Sequence, residues 1–166
     1  MLGKTIVAPA SAPGRGGVSV IRMSGANAKA IAEKMCGGLA QSWKFRKCKI
    51  KSTDGLVLDS GLVVFFESPH SYTGEDVVEF HCHGNPTIVN LIVEDVIKRG
   101  AVIAEPGEFT KTAFLNDKID LAQAESVSDL INAQSKSAVI AANSSLSGNF
   151  SSSVDLIIRG LVSTRV

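Results

Sequence analysis

The sequence predicts an α/β (α+β) domain built on a mixed sheet, followed by an α-helical segment. Two observations carry this reading. Strand-like and helix-like runs alternate as far as residue 104, whereas from residue 108 onward there is no proline and no period-two alternation, and apolar residues recur at helical spacing. Composition supports a folded chain, since 45% of residues are hydrophobic and 20% charged. With aromatic residues at only 5%, aliphatic side chains must fill the core.

Taken in order, residues 5–8 are a short apolar segment ending in the turn-rich loop Pro9-Ala10-Ser11-Ala12-Pro13-Gly14-Arg15-Gly16-Gly17. Residues 18–24 read as a strand. Residues 26–35 carry Ala30, Ile31 and Met35 at helical spacing and stop at Gly37-Gly38. Residues 45–51 alternate apolar and basic side chains as a half-exposed strand does, and Asp54-Gly55 supplies a turn. The continuous apolar runs at 61–67 and 76–82 have the length and composition of interior strands. Residues 85–99 place Ile88, Leu91, Ile92 and Val96 on one helical face, end at Gly100 and lead into the apolar segment 101–104.

Beyond Pro106-Gly107, one helical stripe comprises Leu121, Ala124, Val127 or Ser128, and Ile131. A second comprises Val139, Ala142, Leu146, Phe150, Val154 and residues 157–161, and reads as one helix from Ser137 to Val166. The boundary falls near residues 118–120, giving an α/β domain at 1–118 and a helical segment at 119–166. The second helix reaches residue 166 without a cap or a later apolar partner, as the start of an interrupted helical domain would.

Lys and Arg number 17 against 16 Asp and Glu, a net charge of +1, so no global field draws the chain to nucleic acid or an anionic membrane. Cys36, Cys48 and Cys82 are widely spaced and odd in number, which fits neither a disulfide framework nor a zinc motif and implies a reducing cytoplasm. The N-terminus lacks a signal-peptide stretch, and no run approaches the roughly 18 apolar residues of a membrane span. A cytoplasmic chain without a membrane partner is expected.

Residues 13–17 are not a phosphate-binding P-loop, because no Lys-Ser/Thr pair and helix follow; Val18-Ser19-Val20-Ile21 is extended instead. Arg22 and Glu79 stand out. Alternation places Arg22 with Val18, Val20 and Ser24, and Glu79 with Val77 and His81, so each charge sits among apolar neighbours and needs a partner. They either pair with each other structurally or line a polar ligand pocket. In His81-Cys82-His83, alternation points the histidines away from Cys82, which argues against one metal ion held by all three. Cys82 shares a face with Val78 and Phe80 as a small core residue, and Cys36 and Cys48 show no activating neighbour pattern.

Six motifs in order carry a resemblance: residues 13–18 (PGRGGV), 21–25 (IRMSG), 72–79 (YTGEDVVE), His83-Gly84, 106–110 (PGEFT) and 113–125 (AFLNDKIDLAQAE). Together they closely resemble the MnmE (TrmE) family of tRNA-modification GTPases, over essentially the whole chain. The resemblance implies an α/β domain similar to the tetrahydrofolate-binding domain of glycine-cleavage T-protein. It implies, next, a helical domain into which a G domain is inserted. By motif position it assigns folate contacts to Arg22, Glu79 and Lys118, with 5-formyltetrahydrofolate or a related reduced folate as cofactor. It makes residues 1–118 a folate-binding and dimerisation domain and residues 119–166 the first helices of a helical domain.

The family pattern implies a homodimer that acts with the flavoprotein MnmG (GidA) on tRNA, placing an aminomethyl-type group on carbon 5 of the wobble uridine. GTP, Mg and K belong to a G domain not contained in these 166 residues, so no catalytic residue for GTP hydrolysis is assigned. Two positions depart from the pattern: Thr112 stands where many members carry arginine, and Asn85 replaces a common glycine. Other functions compatible with the residues are an inert dimerisation scaffold and a stand-alone T-protein-like folate enzyme.

Overall fold

The computed structural model describes residues 3–163 and divides into two compact units, residues 1–109 and 110–166. The first unit holds β1 (Ile6–Pro9), β2 (Gly16–Ser24), α1 (Ala28–Cys36), β3 (Arg46–Lys51), β4 (Val57–Phe66), β5 (Val77–Gly84), α2 (Pro86–Lys98) and β6 (Val102–Ile103). Among the described residues the strands form a six-stranded sheet in the order β3-β4-β5-β2-β1-β6. Every pairing is antiparallel except β1 with β6, which is parallel because α2 carries the chain across the sheet between β5 and β6. The sheet is therefore mixed, and the continuous apolar runs β4 and β5 are interior strands as their composition predicts.

Residues opposite one another across paired strands share a face. One face carries Ile21, Met23, Val63, Phe65, Val78 and Phe80, which pack with Ile31 and Met35 of α1 and Ile92 and Val96 of α2 into one core. Each large side chain buried there contributes roughly 1.5–3 kcal/mol, so this two-layer arrangement is the main source of stability. The helices begin and end as their residues dictate. Asn85 caps α2, its side chain accepting from Thr87 N–H at 2.9 Å with Pro86 at the first helical position. Its φ is −119°, so the turn after Gly84 has no need of the glycine common in the family.

Two of the motif glycines are required by packing. Gly25 has φ of +128°, and a Cβ there would lie 2.7 Å from Thr5 Cα. A Cβ on Gly84 would lie 2.5 Å from the carbonyl oxygen of Gly16, so the HG and PGRGG motifs meet where two strands approach too closely for a side chain.

Three readings of the sequence need correction. Strand β4 starts at Val57, not 61, because Asp59 and Ser60 pair with β3 despite being polar. The long helix from Ser137 is two helices, α5 (Lys136–Leu146) and α6 (Asn149–Ser163), broken at Gly148 with φ of +80°. Residues 164–166, the end of the predicted helix, lie outside the described residues. The predicted stripe of α4 (Leu121–Asn132) does not face inward, since Leu121 and Ile131 are 59% and 78% exposed while Ser126 is buried. Small residues let α4 and α5 approach, and Ser126 satisfies its hydroxyl on the Ala122 carbonyl at 2.6 Å.

The segment preceding α4 is a helix stop followed at once by a helix start. In α3 (Glu108–Leu115) the N–H of Asp117 reaches Phe114 O at 3.1 Å and that of Lys118 reaches Ala113 O at 2.9 Å, with Asp117 left-handed at φ of 54°. Asp120 then forms a capping box with Gln123: its carboxylate accepts Gln123 N–H at 2.8 Å, and Gln123 Oε1 accepts Asp120 N–H at 2.9 Å. Much of the LNDKIDLAQ motif is thus spent on local geometry.

Candidate functional site

The face of the sheet opposite the helices carries Ala8, Arg22, Glu79 and Val64 in one row across four strands. Arg22 and Glu79 are direct cross-strand partners. Arg22 Nε and Nη2 both donate to the same oxygen, Glu79 Oε1, each at 2.8 Å. The second oxygen, Oε2, has a long contact of 3.3 Å from His81 Nε2. The pair is partly covered, with side-chain exposures of 27% for Arg22 and 14% for Glu79.

Aromatic rings frame the pair. The Arg22 guanidinium carbon lies 5.2 Å from the Tyr72 ring centroid and 5.7 Å from that of Phe109, and Phe45 meets the His81 ring edge to face at 5.1 Å. Beside Arg22, the YTGED motif is anchored by buried hydroxyls: Ser24 Oγ and Thr73 Oγ1 are 2.7 Å apart, and Ser24 donates to Glu75 Oε2 at 2.9 Å. The RMSG and TGED motifs therefore converge on one place, which holds Tyr72 against Arg22. The result is an aromatic-edged part of the sheet face holding a carboxylate with one lightly engaged oxygen.

Residues 5–118 match the family described as GTP-binding protein TrmE N-terminus. The chain belongs to this family. Relatives named tRNA modification GTPase MnmE are 48% identical over 162 residues in Neisseria meningitidis serogroup B, covering 98% of this chain and 36% of the relative. The relative of that name from Laribacter hongkongensis is 47% identical over 166 residues, 99% of this chain and 37% of the relative. The chain thus spans little more than a third of the length of the curated relatives it matches.

Of the three residues singled out in the sequence of this TrmE-type chain, two are brought into contact, Arg22 and Glu79. Lys118 belongs to the second unit, at the turn between α3 and α4, where its N–H closes the end of α3. Arg22 does not sit in an apolar interior: Val18 on its face is 63% exposed and Val20 half-buried, because α1 and α2 pack on the other face. His81, Tyr72, Phe109 and Phe45 were missed as site residues. Tyr72 and Phe109 lie inside the motif strings, and alternation places His81 on the face of Glu79, so each of these had a signal in the sequence. Phe45 is remote in sequence and had none.

The His81-Cys82-His83 run divides as alternation requires. His81 turns to Glu79, Cys82 is buried in the core, and His83 Nδ1 meets Asp59 Oδ1 at 2.8 Å. Burial raises the Asp59 pKa, but the His83 N–H, the His83 ring and the Ser60 N–H more than offset it and hold the carboxyl below its ordinary value.

Proposed function

We propose that this chain is the folate-binding N-terminal part of a tRNA-modification GTPase. The observation that carries the reading is Glu79, held at one oxygen by Arg22 with its other oxygen only lightly engaged, between aromatic side chains on the sheet face away from the helices. The aminopyrimidinone edge of a reduced pterin offers adjacent N–H donors, which a carboxylate accepts as a pair, and its flat ring suits an aromatic edge. The residues present fit that group. Arg22 orients Glu79 and adds positive charge for pterin, formyl or tail oxygens, and Lys118 is carried as a third contact on its motif position. When bound, a 5-formyltetrahydrofolate-type donor supplies the one-carbon unit for aminomethyl-type modification of carbon 5 of the wobble uridine.

Titrating the chain with 5-formyltetrahydrofolate by calorimetry tests this. One saturable site per chain is expected. No saturation up to about 1 mM, equivalent to less than about 4 kcal/mol of binding, would leave the scaffold reading in its place. Turnover of the folate by the chain alone would favour a T-protein-like enzyme.

By the same reading, the wider assembly is a cytoplasmic homodimer acting with a flavoprotein partner and tRNA. Among the described residues no helix is long and apolar enough to cross a membrane. A dimer mass is expected by light scattering at roughly tens of micromolar; a strictly monomeric mass would count against it. GTP hydrolysis by residues 1–166 is expected at background, because the sequence lacks a GxxxxGK[ST] phosphate-binding motif. Turnover that scales with purified protein through successive chromatographic steps would contradict that expectation.

A further inference from the structure

Twelve residues apart in sequence, Cys36 at the end of α1 and Cys48 in β3 bring their sulfurs to 3.2 Å, while both remain unbridged thiols. A disulfide needs about 1 Å of further approach. The surroundings favour charge on one sulfur. Arg46, two residues before Cys48 on the same face of β3, donates through Nη2 to the carbonyls of Cys36 at 2.6 Å and Gly38 at 2.5 Å. Its Nε is buried with no hydrogen-bond partner among the described residues. The thiol–thiol bond can be donated from either side. With Cys36 donating, that bond lowers the Cys48 pKa against the opposing effect of burial, and Arg46 lowers it further, while Cys36 is pushed up.

We propose that Cys36 and Cys48 form a reversible thiol–disulfide couple, oxidised by a hydroperoxide, that staples the end of α1 to the edge strand β3. The Cys48 thiolate attacks a peroxide oxygen and the O–O bond breaks, leaving Cys48 sulfenic acid and hydroxide. The Cys36 sulfur then displaces the sulfenyl oxygen, which departs as water with the Cys36 proton. In net terms two thiols and one hydrogen peroxide give one disulfide and two waters; the sulfurs lose two electrons and the peroxide oxygens gain them. Entry of the oxidant is eased by position, because β3 is an edge strand paired only to β4 and opens more readily than the interior strands. Cys82 is the internal contrast. It sits in interior strand β5, and burial pushes its pKa up to about 11.

The closed ring contains Phe45, which packs on His81, which in turn reaches Glu79 Oε2. Closing the couple therefore restrains the segment whose Phe45 borders the candidate site, and the couple itself stands whether or not Glu79 binds folate.

The test is to titrate the reductant-free chain with hydrogen peroxide, block remaining thiols with N-ethylmaleimide and measure mass and peptide linkage. Two of the three thiols should disappear together, with a loss of about 2 Da before blocking and a cross-linked peptide joining Cys36 to Cys48. Cys82 alone should take up maleimide, dithiothreitol added before blocking should restore all three thiols, and the oxidised form should melt about 5 °C or more above the reduced form. In Cys36→Ser, Cys48 should stop at the sulfenic acid and be captured by dimedone; if that variant does not fold, the wild-type peptide map decides. Loss of Cys82 at the same rate, oxidation of Cys48 without a cross-link, or three thiols remaining throughout would overturn the proposal.

Discussion

Replacing Glu79 by Gln is expected to weaken 5-formyltetrahydrofolate binding roughly 30- to 1,000-fold, the equivalent of about 2–4 kcal/mol. The substitution hardly changes volume. It puts an NH2 donor where a carboxylate oxygen faces the ligand's N–H group, so one contact turns from attraction to repulsion. The cost to the fold should be small by comparison, about 1 kcal/mol, because the partner left behind is not stranded. Arg22 keeps 27% of its side chain exposed and lies close to the Tyr72 and Phe109 rings, so water and the aromatic faces replace part of what the ion pair supplied. Calorimetric titration and a thermal melt on the same variant separate the two effects. Folate affinity near wild type combined with a large fall in melting temperature would make Glu79 a structural partner of Arg22 and remove it from the site.

The largest stability loss is expected at a residue remote from that site. Asp95 of α2 is buried and accepts three hydrogen bonds, from Thr53 N–H at 2.7 Å, Thr53 Oγ1 at 2.8 Å and Arg99 Nε at 2.7 Å. It ties the helix to the β3–β4 turn. Asp95→Asn leaves the largely buried Arg99 guanidinium without its anion and should cost about 3 kcal/mol, a fall of roughly 10–20 °C in melting temperature. The effect has a definite pH signature. Burial raises the Asp95 pKa, but the bonds from Arg99 and Thr53 outweigh it, so the folded value lies below the ordinary one. A depressed carboxylate stabilises the fold fully above its unfolded pKa of about 3.9 and loses that contribution as pH falls through the folded value. The gap between wild type and variant should therefore be level from about pH 5 to 8 and shrink below about pH 4. A gap of under about 1 kcal/mol at neutral pH, or one unchanged at the lowest pH at which both proteins fold, would show that the network is not stabilising.

Local pattern made a good part of this protein legible. Period-two alternation assigned Arg22 and Glu79 to defined faces of their strands and separated Cys82 from the flanking histidines, because side-chain direction in a strand is settled within two residues. Helical spacing and glycine stops located α1 and α2 to within two or three residues for the same reason. The motif strings marked the TrmE-type family before any coordinate did. What the strings could not reveal was why each was there: Gly25 and Gly84 serve close backbone approach, and the LNDKIDLAQ stretch is largely a helix stop and a capping box.

The rest depended on distance in space. That Arg22 and Glu79 are direct partners follows from the pairing of β2 with β5, 57 positions apart, and no local pattern encodes that register. Which face of the sheet would be covered was equally hidden. Val18 and Val20 are as apolar as the core residues, yet α1 and α2 both pack on the other side, leaving Arg22 and Glu79 on the face those helices do not cover. Phe45 over His81 and Cys48 against Cys36 come from strand order, since β3 lies antiparallel beside β4 with its inner face toward α1. By itself, the sequence determined most elements of the first unit, the faces of β2 and β5 and the family, all of which rest on interactions within a few residues. Only the tertiary structure decided which faces met, because register and layer order are set by the joint burial of side chains that no short window contains.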